Sequence, residues 1–276
     1  MSAGTLYVVA TPLGNLGDLS PRAIEVLGRV SMVAAEDTRR ARVLLQRAGA
    51  SPKVVSFHAH SPPRRIETLL RALREGSDVA MVSDAGTPTV SDPGADLVRR
   101  AREAGVPIVS VPGPSAVAAA LSISGLPADR YTFLGFVPRK GGARRKLLDT
   151  VAESPWTVVL FEAAPRLTEL LADLEAGCGG GRDAAVAREL TKVHEELKSG
   201  TLHDLQVYYR ERPPRGEVTV LVAGIGPTAR RADSDVARAR AVTLLAEGLT
   251  RKDVTARLVD ELGLPRNEAY KLVGDL

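Results

Sequence analysis

The chain has 276 residues, 44 % of them hydrophobic and 25 % charged, with 37 basic side chains against 33 acidic ones and a formal net charge of +4. That length and apolar content suffice for one long or two ordinary domains with real cores, and the run of about 18 uninterrupted apolar residues expected of a membrane span is missing. Cys178 is the only cysteine, which excludes an internal disulfide and fits a cytoplasmic setting; the isoelectric point near 9.4 permits a polyanionic partner without requiring one.

The opening stretch, MSAGTLYVVATPLGN, has neither the basic start nor the unbroken apolar run of a secretory signal. After it, short Val-rich runs alternate with longer amphipathic ones. TLYVVAT (5–11), MVAAE (32–36), KVVSF (53–57), VAMVS (79–83) and PIVSV (107–111) read as buried strands closed by turn residues. Between them SPRAIEVLGRV, TRRARVLLQRAG, SPPRRIETLLRALREG and DPGADLVRRAREAG carry apolar residues at three- and four-residue spacing. Alternation of strand and helix implies a parallel α/β sheet. PSAVAAALSISGL is a helix of small residues ending at Gly125, and a break near 126–130 separates a first α/β domain (1–126) from a second (127–226). In the second, TVVLFEA (157–163), AAVAREL (184–190) and EVTVLVAG (217–224) are strand candidates, separated by a helix at PRLTELLADLEAG and by the segment TKVHEELKSGTLHDL. Beyond Gly226 no strand pattern remains; PTARRADS reads as a linker to an all-helical domain (234–276) with a helix-turn-helix look.

One loop stands out: VSDAGTPTVSDPG, residues 82–94, leaves the VAMV strand with two Ser-Asp pairs, each followed closely by Gly and Pro. Gly and Pro free or fix φ, and Asp and Ser bond nearby amides, so the loop has a defined shape of the kind that binds ligands. Ser91, Asp92, Pro93 and Gly94 are expected to cap the following helix.

The ordered blocks TPLGNLGDLSPRAIEVL, AEDTRR, VSDAGTPTVSDPG, VPGPSAV, SGLPADRYTFLGFVPRK, ARELTK and GEVTVLV resemble those of the small-subunit ribosomal-RNA 2′-O-ribose methyltransferase I family, in the tetrapyrrole-methylase superfamily. The resemblance runs over essentially the whole chain. It implies two α/β domains with S-adenosylmethionine in the cleft between them, a homodimer, and methylation of a cytidine ribose in the decoding region of 16S ribosomal RNA, free or in the small subunit. Small apolar residues in AVAAALSIS offer a face for such a dimer. A methylase of a tetrapyrrole-like small molecule, and a non-enzymatic RNA-binding protein on the same fold, are the alternatives.

The resemblance also assigns residues. Asp84, Gly86 and Thr87 would place backbone groups against the methionine end of the cofactor, Gly86 allowing close approach. Leu13 and Gly14 match the first cofactor loop, and Pro114, Ser115 and Ala116 match a block against the adenosine or methionine portion, where helix amides suit a carboxylate. Phe161 or Glu162, with Leu190 of ARELT, would close the adenine side. A weakly acidic ribose hydroxyl can use a nearby base; Glu36, Asp37, His58, Glu162, Glu189 and Lys192 are candidates, with Asp37 and Glu36 preferred and Arg39 placing phosphate. Asp37 also suits a helix cap paired with Arg39. RNA phosphates need cations: Arg139, Lys140, Arg144, Arg145 and Lys146 of PRKGGARRK lead, followed by Arg64 with Arg65, and by Arg39, Arg40 and Arg42. No metal is implied, since His58 and His60 lack completing ligands.

Overall fold

The structure, a computed structural model, describes residues 3–225, 227–262, 264 and 266–276. Its first half alternates β1 (Leu6–Val9), α1 (Pro21–Arg29), β2 (Met32–Ala35), α2 (Thr38–Arg47), β3 (Lys53–Ser56), α3 (Pro63–Arg74), β4 (Val79–Val82), α4 (Ala95–Glu103), β5 (Ile108–Val111) and α5 (Ala116–Ser124). The strands form one parallel sheet in the order β3-β2-β4-β1-β5. The helix starts follow local chemistry: Pro21 opens α1 behind Ser20, whose side chain accepts from the Ala23 amide, and α1 buries Ala23, Val26 and Leu27. In a parallel sheet all carboxyl ends share one edge, and the loops there are the usual place for a ligand.

The second half contains β6 (Tyr131–Phe136), α6 (Gly142–Glu153), β7 (Thr157–Ala163), α7 (Leu167–Cys178), β8 (Asp183–Arg188), β9 (Glu196–Thr201), α8 (Leu202–Glu211) and β10 (Glu217–Val222). Its sheet has the order β6-β7-β10-β8-β9, parallel only between β6 and β7. The TKVHEELKSGTLHDL segment thus supplies an edge strand and a helix start. β9, with sequence ELKSGT, has no fully buried residue, as an edge strand that must not pair with other chains requires, and this polarity hid it from hydrophobic patterning. At its end Thr201 and Asp204 form a reciprocal capping box for α8.

Both sheets belong to one compact unit, residues 1–152 with 157–223. Helix α5 joins them: Val117, Ala120 and Leu121 are buried in one cluster with Val159, Ala185, Ala187, Leu190 and Leu221 of the second half. Val117, Ala120, Leu121 and Ser124 of AVAAALSIS are thus buried within the chain, while Ala118, Ser122 and Ile123 remain exposed. A second unit comprises residues 153–156 and 224–276. In it α9 (Pro227–Ala246), α10 (Arg251–Leu262) and α11 (Arg266–Gly274) share a core of Ala241, Leu244, Val254, Leu258, Ala269 and Val273. Helix α9 runs through PTARRADS, so that segment is helix, not an open linker.

Ala120 has no exposed surface, and a larger side chain there must push α5 off the second sheet. Ala120→Leu is expected to cost about 1–3 kcal/mol by overpacking, read as a lower urea midpoint at unchanged slope; an unchanged midpoint would mean that the seam has slack.

Candidate active site

A cavity of about 560 Å3 lies along the carboxyl edge of the first sheet. That size is within the range of small-molecule sites, about 300–1,000 Å3. The loops after β1, β2, β4 and β5 contribute Leu13, Glu36, Asp84, Gly86, Thr87, Ser115 and Ala116, and the second half contributes Phe161 and Leu190. Nine of the expected site residues, counted from those two groups, thus meet at one cavity. Gly14, Pro114 and Asp37 are not among its lining residues. Pro114 adjoins it, its carbonyl accepting from the Thr87 hydroxyl at 3.4 Å. Gly14 lies under Lys192, whose Cγ would be 2.3 Å from a Cβ at that position.

The VSDAGTP loop is fixed by bonds to the loop after β1. The Thr11 amide donates to the Gly86 carbonyl at 2.8 Å and the Gly86 amide to the Thr11 carbonyl at 3.0 Å, while the Thr11 hydroxyl donates to the Ser83 carbonyl at 3.1 Å. Both backbone groups of Gly86 are therefore used within the protein, which corrects the expectation that they face a cofactor. What Gly86 offers is space: its φ is +78°, and a Cβ there would reach 3.4 Å from Leu13 Cδ2 and 3.8 Å from the Pro114 carbonyl oxygen.

Strain concentrates around the same cavity. Among the described residues, the non-glycine positions with positive φ are Thr89 (74°), Ser91 (61°), Glu189 (51°) and Thr191 (66°). These two pairs bracket Val90 and Leu190, which both line the cavity. Each such position costs about 1–3 kcal/mol and persists only where its surroundings impose it.

The acidic groups are arranged differently from the sequence expectation. Asp37 caps α2, accepting from the Arg39 amide at 2.7 Å and pairing with its guanidinium at 2.7 Å. The Arg39 bonds hold its carboxyl well below the usual carboxylate range, so Asp37 is a poor proton acceptor and is corrected to a structural cap. Asp84 accepts from the Asp37 amide at 2.9 Å and lies 3.6 Å from Arg40. Glu36 keeps its place in the cavity wall, its carboxyl raised by burial and then by the charge of Asp84. Asp92, expected to cap α4, does not: Gly94 is the N-cap and no side chain bonds there. Asp92 instead lines the cavity, and burial, with the charge of Glu36, lifts it from 3.8 to about 6. Three carboxylates sharing one cavity repel each other, and this repulsion favours a shared proton or a bound cation.

Comparisons with known proteins identify the family. The family model of the Tetrapyrrole (Corrin/Porphyrin) Methylases matches residues 5–206. Proteins named ribosomal RNA small subunit methyltransferase I are 48 % identical over 277 residues in Micromonospora olivasterospora, covering 98 % of this chain and 87 % of that one, and 43 % identical over 270 residues in Synechocystis, covering 98 % and 97 %. The chain belongs to the ribosomal RNA small subunit methyltransferase I family of the tetrapyrrole methylases. The fold of that larger group is seen also in a cobalt precorrin-4 methyltransferase structure, at a TM-score of 0.60 and 22 % identity over 79 % of this chain and 94 % of that one.

In this family member the basic segment divides in two. Arg139, Lys140, Arg145 and Lys146 are exposed, as are Arg39 and Arg64, whereas Arg144 is buried. Arg144 donates to Asp173 Oδ2 at 2.9 and 2.7 Å and to the Pro138 carbonyl at 3.1 Å, and its Nη1 is 4.0 Å from Glu162. Glu162 is 2 % exposed and also pairs with Arg166. Arg144 is thereby corrected from an RNA ligand to a structural residue: without it, the negative charge of Glu162 keeps only one cationic partner. Arg40, expected to meet RNA phosphate, also lines the cavity, and the lining residues that sequence reasoning passed over include Val90, Phe136, Gly216 and the Glu217–Thr219 start of β10. The glycine before Phe136 was the available signal for one of them.

Arg144→Ala is expected to destabilise the protein by about 3 kcal/mol or more, with part regained by adding Glu162→Gln. Arg145→Ala with Lys146→Ala should leave the urea midpoint nearly unchanged and lower the slope of log RNA affinity against log salt by up to ~2. Equal stability loss from both variants would remove the distinction.

Proposed function

We propose that this protein transfers a methyl group from S-adenosylmethionine to the 2′-hydroxyl of a cytidine ribose in the decoding region of 16S ribosomal RNA. The observation that carries this reading is the kinship with proteins named for that ribosomal subunit, extending over 98 % of the chain. The cavity is suited to the methyl donor: Leu13, Phe161 and Leu190 offer apolar contact for an adenosine, the first turn of α5 offers a helix N-terminus to a carboxylate, and Glu36, Asp84 and Asp92 offer negative charge to the cationic groups. When bound, the donor supplies an electrophilic methyl carbon. The chain's own part is to hold the partners in line, keep out water and accept a proton.

Asp92 and Glu36 are the groups we assign to that last task, because they face the cavity with raised proton affinity while Asp37 is tied down. An acid near pKa 6 is charged at neutral pH and still basic enough to take up a developing proton. Exposed Arg139, Lys140, Arg145, Lys146, Arg39 and Arg64 are proposed to receive the RNA phosphates. A ribosomal substrate places the protein in the cytoplasm, and no helix among the described residues is long and apolar enough to cross a membrane.

The test is transfer of labelled methyl from S-adenosylmethionine into small subunits, stripped ribosomal RNA or a tetrapyrrole precursor, with label expected in the ribosomal RNA. Label in the tetrapyrrole alone would end the RNA reading. Transfer should rise as pH passes through about 6, and Asp92→Asn should lose about 100-fold or more in rate. The same variant should be more stable than the parent at pH 7. A raised acid stabilises the native state below its unfolded value of 3.8 and loses that contribution as pH rises through about 6, so the variant's advantage should vanish toward pH 4. A variant that is active, or less stable at pH 7, would remove Asp92 from the role. We also propose a homodimer, expected to sediment at twice the 29.2 kDa of one chain at micromolar concentration; a single-chain mass would refute it.

A further inference from the structure

We propose that Phe136 is a stacking platform for a nucleobase of the RNA strand, a substrate-positioning residue at the mouth of the cavity; this rests on the RNA reading above. Along a regular strand side chains alternate between faces, so Phe133 and Phe136, three positions apart, would point to opposite sides of the sheet. β6 is not regular. Phe133 is opposite Val159, Gly135 opposite Leu160 and Phe136 opposite Phe161, so the register shifts between Phe133 and Gly135 and Leu134 is the extra residue. A bulge of this kind re-aims the residues beyond it. Phe136 consequently joins Phe133 on the face that carries Phe161, and both rings meet Phe161 edge to face, with centroids 4.9 Å and 5.4 Å away.

Gly135 makes the bulge possible. Its φ is +68°, and a Cβ there would come 2.9 Å from the Ser91 hydroxyl, in the loop after β4. The inner ring, Phe133, packs against the α5 seam. The outer ring, Phe136, lines the cavity and is nonetheless 58 % exposed. A bulge, a glycine at positive φ and a close loop approach thus combine to hold an aromatic face in water at a cavity mouth, an arrangement of use to a flat ligand that covers it. The chain beyond the ring indicates which ligand: after Val137 and Pro138 come the exposed cations Arg139 and Lys140. A base over Phe136 with its backbone phosphate toward those cations is the combination of aromatic platform and basic track by which proteins hold unpaired RNA. The adenine of the methyl donor has the same flat chemistry but needs no cationic track beside it.

Phe136→Leu removes the aromatic face and keeps an apolar side chain, while Phe136→Trp restores a larger one. Stacking of a base on an aromatic side chain accounts for roughly 5- to 100-fold in affinity. The Leu variant is therefore expected to raise KM for small subunits by about that factor, with kcat, S-adenosylmethionine affinity by calorimetry and melting temperature all close to the parent, and the Trp variant to bring KM back to within a few-fold. If the parent methylates ribosomal RNA and the Leu variant does so with the same KM, or if Trp is no better than Leu, the platform is refuted and the RNA reading stands. A loss of S-adenosylmethionine affinity in the Leu variant would assign the ring to the donor and refute the RNA base. If the parent methylates only a tetrapyrrole precursor, both fall together.

Discussion

Helix α5 starts at the end of the last strand of the first sheet and is buried against the second, and the cavity exists because of that placement. Its first turn supplies Ser115, Ala116 and Val117 to the cavity wall, while Val117, Ala120 and Leu121 pack on β7, β8 and β10. Large side chains along this helix would hold the sheets apart; alanines let them close until Phe161 and Leu190 face Leu13 and Gly86. Burying Val117 and Leu121 is worth about 1.5–3 kcal/mol each. The site is thus built from two rigid sheets and one helix, with the loops carrying only the last adjustments, as a preorganised site requires.

The loops hold conformations that the chain would not choose alone. Thr89, Ser91, Glu189 and Thr191 adopt left-handed backbone conformations, and Glu36, Asp84 and Asp92 crowd three acids together. Each is unfavourable in the free protein and is imposed by the packing around it. Bound cationic groups would relieve the acids, so folding energy is converted here into affinity for a ligand of the right charge.

Much of the first half was legible because parallel strands buried on both faces read as plain Val-rich runs and because Ser20 and Ser115 cap their helices as local chemistry demands. Family resemblance located the cavity walls from the first loops to Leu190. Tertiary context decided the rest. Asp92 looks like a cap in the sequence because Asp-Pro-Gly usually starts a helix, and only the position of Gly94 turns it inward. Arg144 is indistinguishable from Arg145 in a basic run until helix α6 assigns one to the core and the other to water. β9 escaped because edge strands are kept polar, and the bulge in β6 because a single extra residue leaves no periodic trace.

The contact between Gly14 and Lys192 carries a consequence for how this sequence can drift. The methylene stem of Lys192 occupies the space a side chain at position 14 would need, and its ammonium group is anchored by Glu189 at 3.0 Å and Glu217 at 3.2 Å. The glycine is thus demanded by a neighbour 178 positions away along the chain, the difference between the two residue numbers. Acquiring even a methyl group at position 14 would require residue 192 to shorten or swing out, which would strip two carboxylates of their cation. The two positions are therefore free to change only as a pair, so a substitution harmless at one of them in a relative can be disabling when transplanted here without its companion.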